Sequence, residues 1–174
     1  MKYFVKYFVV TFFLIFCTAA LAEQKIVFLD LKYVLNNSKA GKGAQDYLKK
    51  TYSSNLKKYS DMEKALKKEE QDLLAKKTVL TKEEYTKKSD TLRKKVIDFQ
   101  SQRRASLDKI ATQRSESRAI LIKNIDPILK TYMKENDISI VIDKKTILGG
   151  KPETDITETI VEKLDKVLPT LNLK

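Results

Sequence analysis

The chain has 174 residues, 35 Lys and Arg against 23 Asp and Glu, no histidine and one cysteine. The lack of histidine and near-lack of thiol exclude Ser-His-Asp and Cys-His catalysis and the common zinc sites. A formal charge of +12 points to a basic surface that attracts anionic partners.

Residues 1–22 read as an export signal. Lys2 and Lys6 make a basic start, Tyr7 to Ala22 is apolar apart from Thr11, Cys17 and Thr18, and Ala20-Leu21-Ala22 is a small-x-small cleavage site. The run is shorter than the roughly 20 residues that span a bilayer. Cleavage after Ala22 removes Cys17, so the mature chain has no thiol for a disulfide, and it lowers the charge by two. The expected location is the periplasm.

Ile26-Val27-Phe28-Leu29 is a short apolar run suited to a buried strand. Asp30 is placed to cap a helix whose Leu31, Val34 and Leu35 share a face. Asn36-Asn37-Ser38 ends it, and Gly41 and Gly43 lead into the long arm.

From Ala44 to Asp126 there is neither glycine nor proline, and the composition favours helix. Tyr52, Tyr59, Leu66, Leu73 and Leu80 recur every seven residues, but the intermediate positions Leu48, Asn55, Met62, Glu69 and Lys76 are partly polar. This predicts an amphipathic helix with a thin, half-polar stripe rather than a sealed zipper. One straight helix of that length would reach roughly 125 Å. Thr81 followed at three by Glu84 is a capping box that begins a second helix. A second stripe follows, through Tyr85, Leu92, Val96, Phe99, Leu107, Ile110, Leu121, Ile125, Ile128 and Tyr132. The expectation is an antiparallel helical hairpin over 44–126, each arm roughly 55–65 Å long, with its tip near 77–82.

Pro127 is expected to kink the helix where the arm meets the body. Asn136-Asp137 breaks it. Ile138, Ile140 and Ile142 alternate with Ser139, Val141 and Asp143 as in a strand, and Thr146-Ile147-Leu148 reads as another short strand. Asp155 or Thr157 caps a last helix packing Ile160, Val161, Leu164 and Leu168, and Pro169 stops it. The body is therefore discontinuous, 23–43 plus 127–174, with the hairpin inserted between its halves. So small a core predicts oligomerisation, with Ile26, Phe28, Ile140 and Ile142 as body-core and subunit-contact residues.

Glu69, Glu70, Asp72, Glu83 and Glu84 cluster on the arm, but paired carboxylates need a pocket for acid/base work. They read as a solvated face pairing with lysines. Gly149-Gly150 lacks the Gly-Lys-Ser/Thr of a phosphate loop. No cofactor is implied, and the chain does not read as an enzyme. Two kinds of binding surface remain. Lys67, Lys68, Lys76, Lys77, Lys87, Lys88 and Arg93 would attract anionic lipid, lipopolysaccharide or acidic polypeptide segments. Tyr59, Met62, Leu66, Leu73, Leu74, Val79, Leu80 and Tyr85 are more apolar area than two opposed arms bury, and the excess is a soft binding surface. Tyr47, Tyr52 and Tyr59 among lysines could stack bases, but export argues against nucleic acid.

Lys25-Ile26-Val27-Phe28-Leu29-Asp30 through Val34-Leu35-Asn36, Ser38-Lys39-Ala40-Gly41-Lys42, the Lys/Glu/Gln hairpin, Ile140-Val141-Ile142-Asp143 and Asp155-Ile156-Thr157 resemble the periplasmic Skp/OmpH family of outer-membrane-protein chaperones. The resemblance covers the whole mature chain. It implies an α+β fold: a small β-rich trimerisation body with helical arms that enclose a cavity. It also implies an ATP-independent holdase for unfolded outer-membrane proteins, with no catalytic residues. The rival readings are a structural coiled-coil envelope protein and a lipopolysaccharide-binding protein or adhesin.

Overall fold

The computed structural model describes residues 24–173. The predicted export segment, residues 1–22 with Cys17, lies outside them. Strand β1 (Lys25–Leu29) leads into helix α1 (Leu31–Asn37), then α2 (Lys39–Ala75), α3 (Lys82–Glu135), strand β2 (Ile138–Asp143) and α4 (Thr157–Val167). The fold is α+β: a small two-stranded sheet with helices, from which α2 and α3 run out as an antiparallel hairpin.

Backbone capping sets these boundaries. The Asp30 carboxylate accepts from Tyr33 N–H at 2.8 Å and starts α1. The Ser38 hydroxyl accepts from Gly41 N–H at 3.2 Å and starts α2. The long arm therefore begins at Lys39, not Ala44, and both glycines lie inside the helix. Gly41 is there because of a close approach: a Cβ at this position would lie 2.0 Å from the Leu35 carbonyl oxygen. The Asp165 carboxylate of α4 accepts from Lys39 N–H at 2.6 Å and satisfies another free donor of that first turn. At the far end, Thr81 and Glu84 form the reciprocal capping box that opens α3. The helix is continuous through Pro127 to Glu135, so proline does not end the arm. Asn136 caps it, and Asp137 takes the left-handed conformation, φ 53°, that turns the chain into β2.

β1 and β2 pair in parallel, with a bulge between the Lys25–Ile138 and Ile26–Ile140 pairs. That bulge inverts the facing expected from simple alternation. Ile138 is buried, but beyond the extra residue it is Val141 that packs inward, with Val27 and Leu29, while Ile26 and Ile140 face out. The core beneath joins Val27 and Leu29 to Val34 and Leu35 of α1, Leu121 and Ile125 of α3, and Ile156, Ile160, Val161 and Leu164 around α4.

The anticipated strand at Thr146–Leu148 is absent. Lys144–Thr146 forms a 3₁₀ turn, with the Asp143 carboxylate accepting from Lys145 N–H at 3.1 Å. β1 gains its other partner further on, where Ile156 N–H donates to the Phe28 carbonyl at 3.0 Å. The body is thus poorer in strand than expected. Neither Asp155 nor Thr157 holds the cap position of α4, which falls on Ile156 without a side-chain capping bond; the Asp155 carboxylate just before it accepts from Thr157 N–H at 3.0 Å. The Thr157 hydroxyl accepts from Asp30 N–H at 2.9 Å and ties the two chain ends together.

Candidate interaction surfaces

Along the hairpin, α2 presents Leu48, Asn55, Tyr59, Met62, Leu66 and Leu73 to a stripe of α3 that includes Tyr85, Leu92, Val96, Phe99 and Ile110. These residues are buried or half-buried. The gaps of three, four and their sums, seven and eleven, are those of helices packed at a shallow angle. The seam is part polar. Asn55 Nδ2 donates to Ser106 Oγ at 2.6 Å, and Gln113 and Ser117 are buried in it. Tyr59 is its centre: the ring packs edge-on against Phe99 at 6.1 Å, and the hydroxyl donates to the Gln102 carbonyl at 2.9 Å.

The predicted apolar binding residues therefore divide. Tyr59 is buried and committed to the seam. Met62, Leu66, Leu73 and Tyr85 are half-buried in it, and Leu80 is half-buried in the turn between the helices. Leu74 and Val79 are open to solvent, 56% and 79% exposed. The predicted cations Lys67, Lys68, Lys76, Lys77, Lys87, Lys88 and Arg93 are all exposed. Lys67 and Arg93 share one groove, of about 640 Å³, with Leu66, Leu73, Leu74 and Tyr85. The other five do not line it. Lys77 lies instead over the Tyr85 ring at 5.9 Å.

Sequence reasoning missed Leu56 and Ile97, both more than half exposed, and assigned the exposed Leu107 to the seam. The signal for two off-seam residues was in the doublets Leu73-Leu74 and Val96-Ile97. A helix turns 100° per residue, so one seam cannot bury both members. Leu56 and Leu107 line a second groove of about 160 Å³ that adjoins the first at Glu63.

On the body, Ile26 and Ile140 are each 45% exposed, so they do not build the core of the subunit. Ile142 is half-buried on the same side. Phe28 is buried away from the main core, beneath the 144–155 segment. Lys144 Nζ lies 5.6 Å over its ring, and a Cβ on Gly150 would come within 2.5 Å of it. Lys144 also donates to the Asp155 carboxylate at 2.7 Å. Burial pushes the Asp155 carboxyl up, but bonds from Lys144 and Thr157 outweigh it and hold the group below its ordinary value. The same bond and the charge of Asp155 raise Lys144. Among the described residues no cluster of acids could hold a metal ion.

A small α+β body bearing a two-helix arm, with exposed apolar and basic side chains on the arm, defines a protein built to bind along a surface. Residues 25–164 match the model of the outer membrane protein (OmpH-like) family, and the chain belongs to that family. It is 22% identical to a Skp-like protein of Pseudomonas aeruginosa, over 96% of this chain and 99% of the relative. A solved structure from Caulobacter crescentus, described as an OmpH-like outer membrane chaperone, superposes with a TM-score of 0.79 at 19% identity, covering 86% of this chain and 88% of that one.

Proposed function

We propose that the protein is an ATP-independent periplasmic holdase that keeps unfolded outer-membrane proteins soluble before their insertion. The observation that carries this reading is the surface of the arm, where large apolar side chains stand exposed among exposed cations on a helical hairpin. Such a surface suits many weak contacts with a polypeptide that has no fold of its own. The cations speed encounter with acidic segments, and the apolar groups slow release. Binding rather than catalysis is the role this surface fits.

The working form in this reading is a homotrimer made through the outer face of the sheet, where Ile26 and Ile140 lie open in the single chain. Export by a cleaved segment 1–22 brings it to the periplasm. Anionic lipid or lipopolysaccharide would meet the lysines of the arm as secondary partners. The test is aggregation of a urea-unfolded barrel protein diluted into buffer with the mature protein, without nucleotide, with mass measured in the same buffer. Several barrel proteins held soluble by a species of three chains is the expected result. Failure with all of them, together with tight binding to one folded envelope protein, would replace this reading with a structural bridge.

A further inference from the structure

On the outer part of the arm most of the exposed large apolar side chains are gathered on one side. Between Tyr47 and Leu107 seven large ones are exposed, and five of these, Tyr52, Leu56, Leu74, Ile97 and Leu107, line the two adjoining grooves. Tyr47 sits in a cleft on the opposite side with Lys109, and Val79 is in the tip. That opposite side also neutralises charge internally, since Lys95 binds both oxygens of Glu69 at 2.6 and 2.9 Å. On the grooved side, Lys67 and Arg103 pair with no carboxylate among the described residues, and Arg93 pairs only with Asp90 at 3.3 Å. A third hollow continues this side to the body and adds Lys49, Arg114 and Arg118, giving six cations against Asp46, Glu63 and Glu70.

Length and charge together select the occupant. Tyr52 and Leu74 are about 33 Å apart along the helix at 1.5 Å per residue. An extended chain covers that distance in about ten residues. Transmembrane strands of barrel proteins are about 9–11 residues long and apolar at alternate positions. A second copy of the arm is disfavoured, because two such faces would oppose cation to cation. We propose that this one face of the hairpin takes a single extended segment of about ten residues from an unfolded barrel protein. Alternate apolar side chains of the segment rest on Leu56, Ile97 and Leu107, and its acidic groups meet Lys67 and Arg103. This rests on the holdase reading and adds which face binds, in what conformation and over what length.

The probe is a fluorescent, end-blocked peptide of ten residues, apolar at alternate positions with two aspartates between, alongside versions of five and twenty residues. With the mature protein, the ten-residue peptide binds at least about tenfold more tightly than the five, and the twenty gains little more. Combining Leu56→Asn, Ile97→Asn and Leu107→Asn weakens binding about tenfold or more, while Tyr47→Asn changes it less than about twofold. Equal losses from the two faces, or affinity rising steadily to twenty residues, would overturn the assignment. A second readout removes no side chain needed for folding: a photo-reactive residue at Ile97 or at Lys109. Unfolded barrel protein should be captured from Ile97 and not from Lys109. Equal capture, or capture of a second copy from Ile97, overturns the proposal. If these fail while the unmodified protein still holds barrel proteins soluble, the groove falls and the holdase reading stands. If nothing is held soluble, both fall.

Discussion

Ile160→Ala and Ile140→Glu should both weaken the protein, but only the second in a way that depends on its concentration. Ile160 is 0% exposed, at the centre of the cluster joining α1, α4 and the sheet. Its truncation removes buried methyl groups and leaves a cavity, costing about 2–5 kcal/mol. Against a typical total of roughly 5–15 kcal/mol that is a large share, and it is an intramolecular loss present at every concentration. Ile140 is already 45% exposed in the subunit. About half of the roughly 1.5–3 kcal/mol for full burial has then not been realised within one chain, so the subunit itself should lose roughly 1 kcal/mol. If copies meet through this face, a carboxylate there goes into the contact unpaired, at a much larger cost to association. The assay is urea unfolding followed by circular dichroism across a hundredfold range of chain concentration. The deficit of Ile140→Glu should be small at low concentration and grow as concentration rises, because the wild type gains stability from association by mass action and the variant does not, and that of Ile160→Ala should stay constant. A deficit of Ile140→Glu as large as that of Ile160→Ala, and constant with concentration, would refute the assignment of inner and outer faces.

Other outcomes follow from particular contacts. Gly41→Ala should destabilise by about 1–3 kcal/mol, because its Cβ meets the Leu35 carbonyl. Gly43→Ala, with nothing within 4 Å of the added atom, should stabilise by about 0.5–1 kcal/mol in the same unfolding assay. The Asp155 carboxyl is held below 3.8, so its contribution is present above that value and is lost as pH falls through the lower folded value. Asp155→Asn should therefore flatten the acid limb of stability against pH. Lys144, raised above 10.5, adds stability that is complete below that value and is lost as pH climbs through its higher folded value. Amide exchange should be fastest in the turn around Lys76–Leu80, which has only short-range turn bonds, and slow in Val27–Leu29. Equal protection would contradict an arm anchored only at its base.

The helical hairpin and its turning point were legible because their signals are local. A capping box needs only Thr81 and Glu84, and helix propensity between Gly43 and Pro127 needs no distant partner. The strands Lys25–Leu29 and Ile138–Asp143 were legible for the same reason. The sidedness of the sheet was not. One extra residue in β2 reverses which of Ile140 and Val141 faces the core, and a bulge is set by pairing with a strand more than a hundred residues away. The early start of α2 was hidden because Gly41 reads as a breaker until Leu35 is seen packed against it. Pro127 read as a kink where the arm meets the body, with the helix breaking only at Asn136-Asp137, and the helix does run on to Glu135, past the one hydrogen bond proline loses, because packing holds both sides, here Leu121 and Ile125 before it and Ile128 and Leu129 after. The binding surface was half legible. Composition alone determined that the arm carries more apolar and basic side chains than a seam can use. Which of them remain outside, Leu56, Leu74, Ile97 and Leu107 rather than Tyr59, depended on the rotation of α2 against α3, and that angle is a property of two helices in contact.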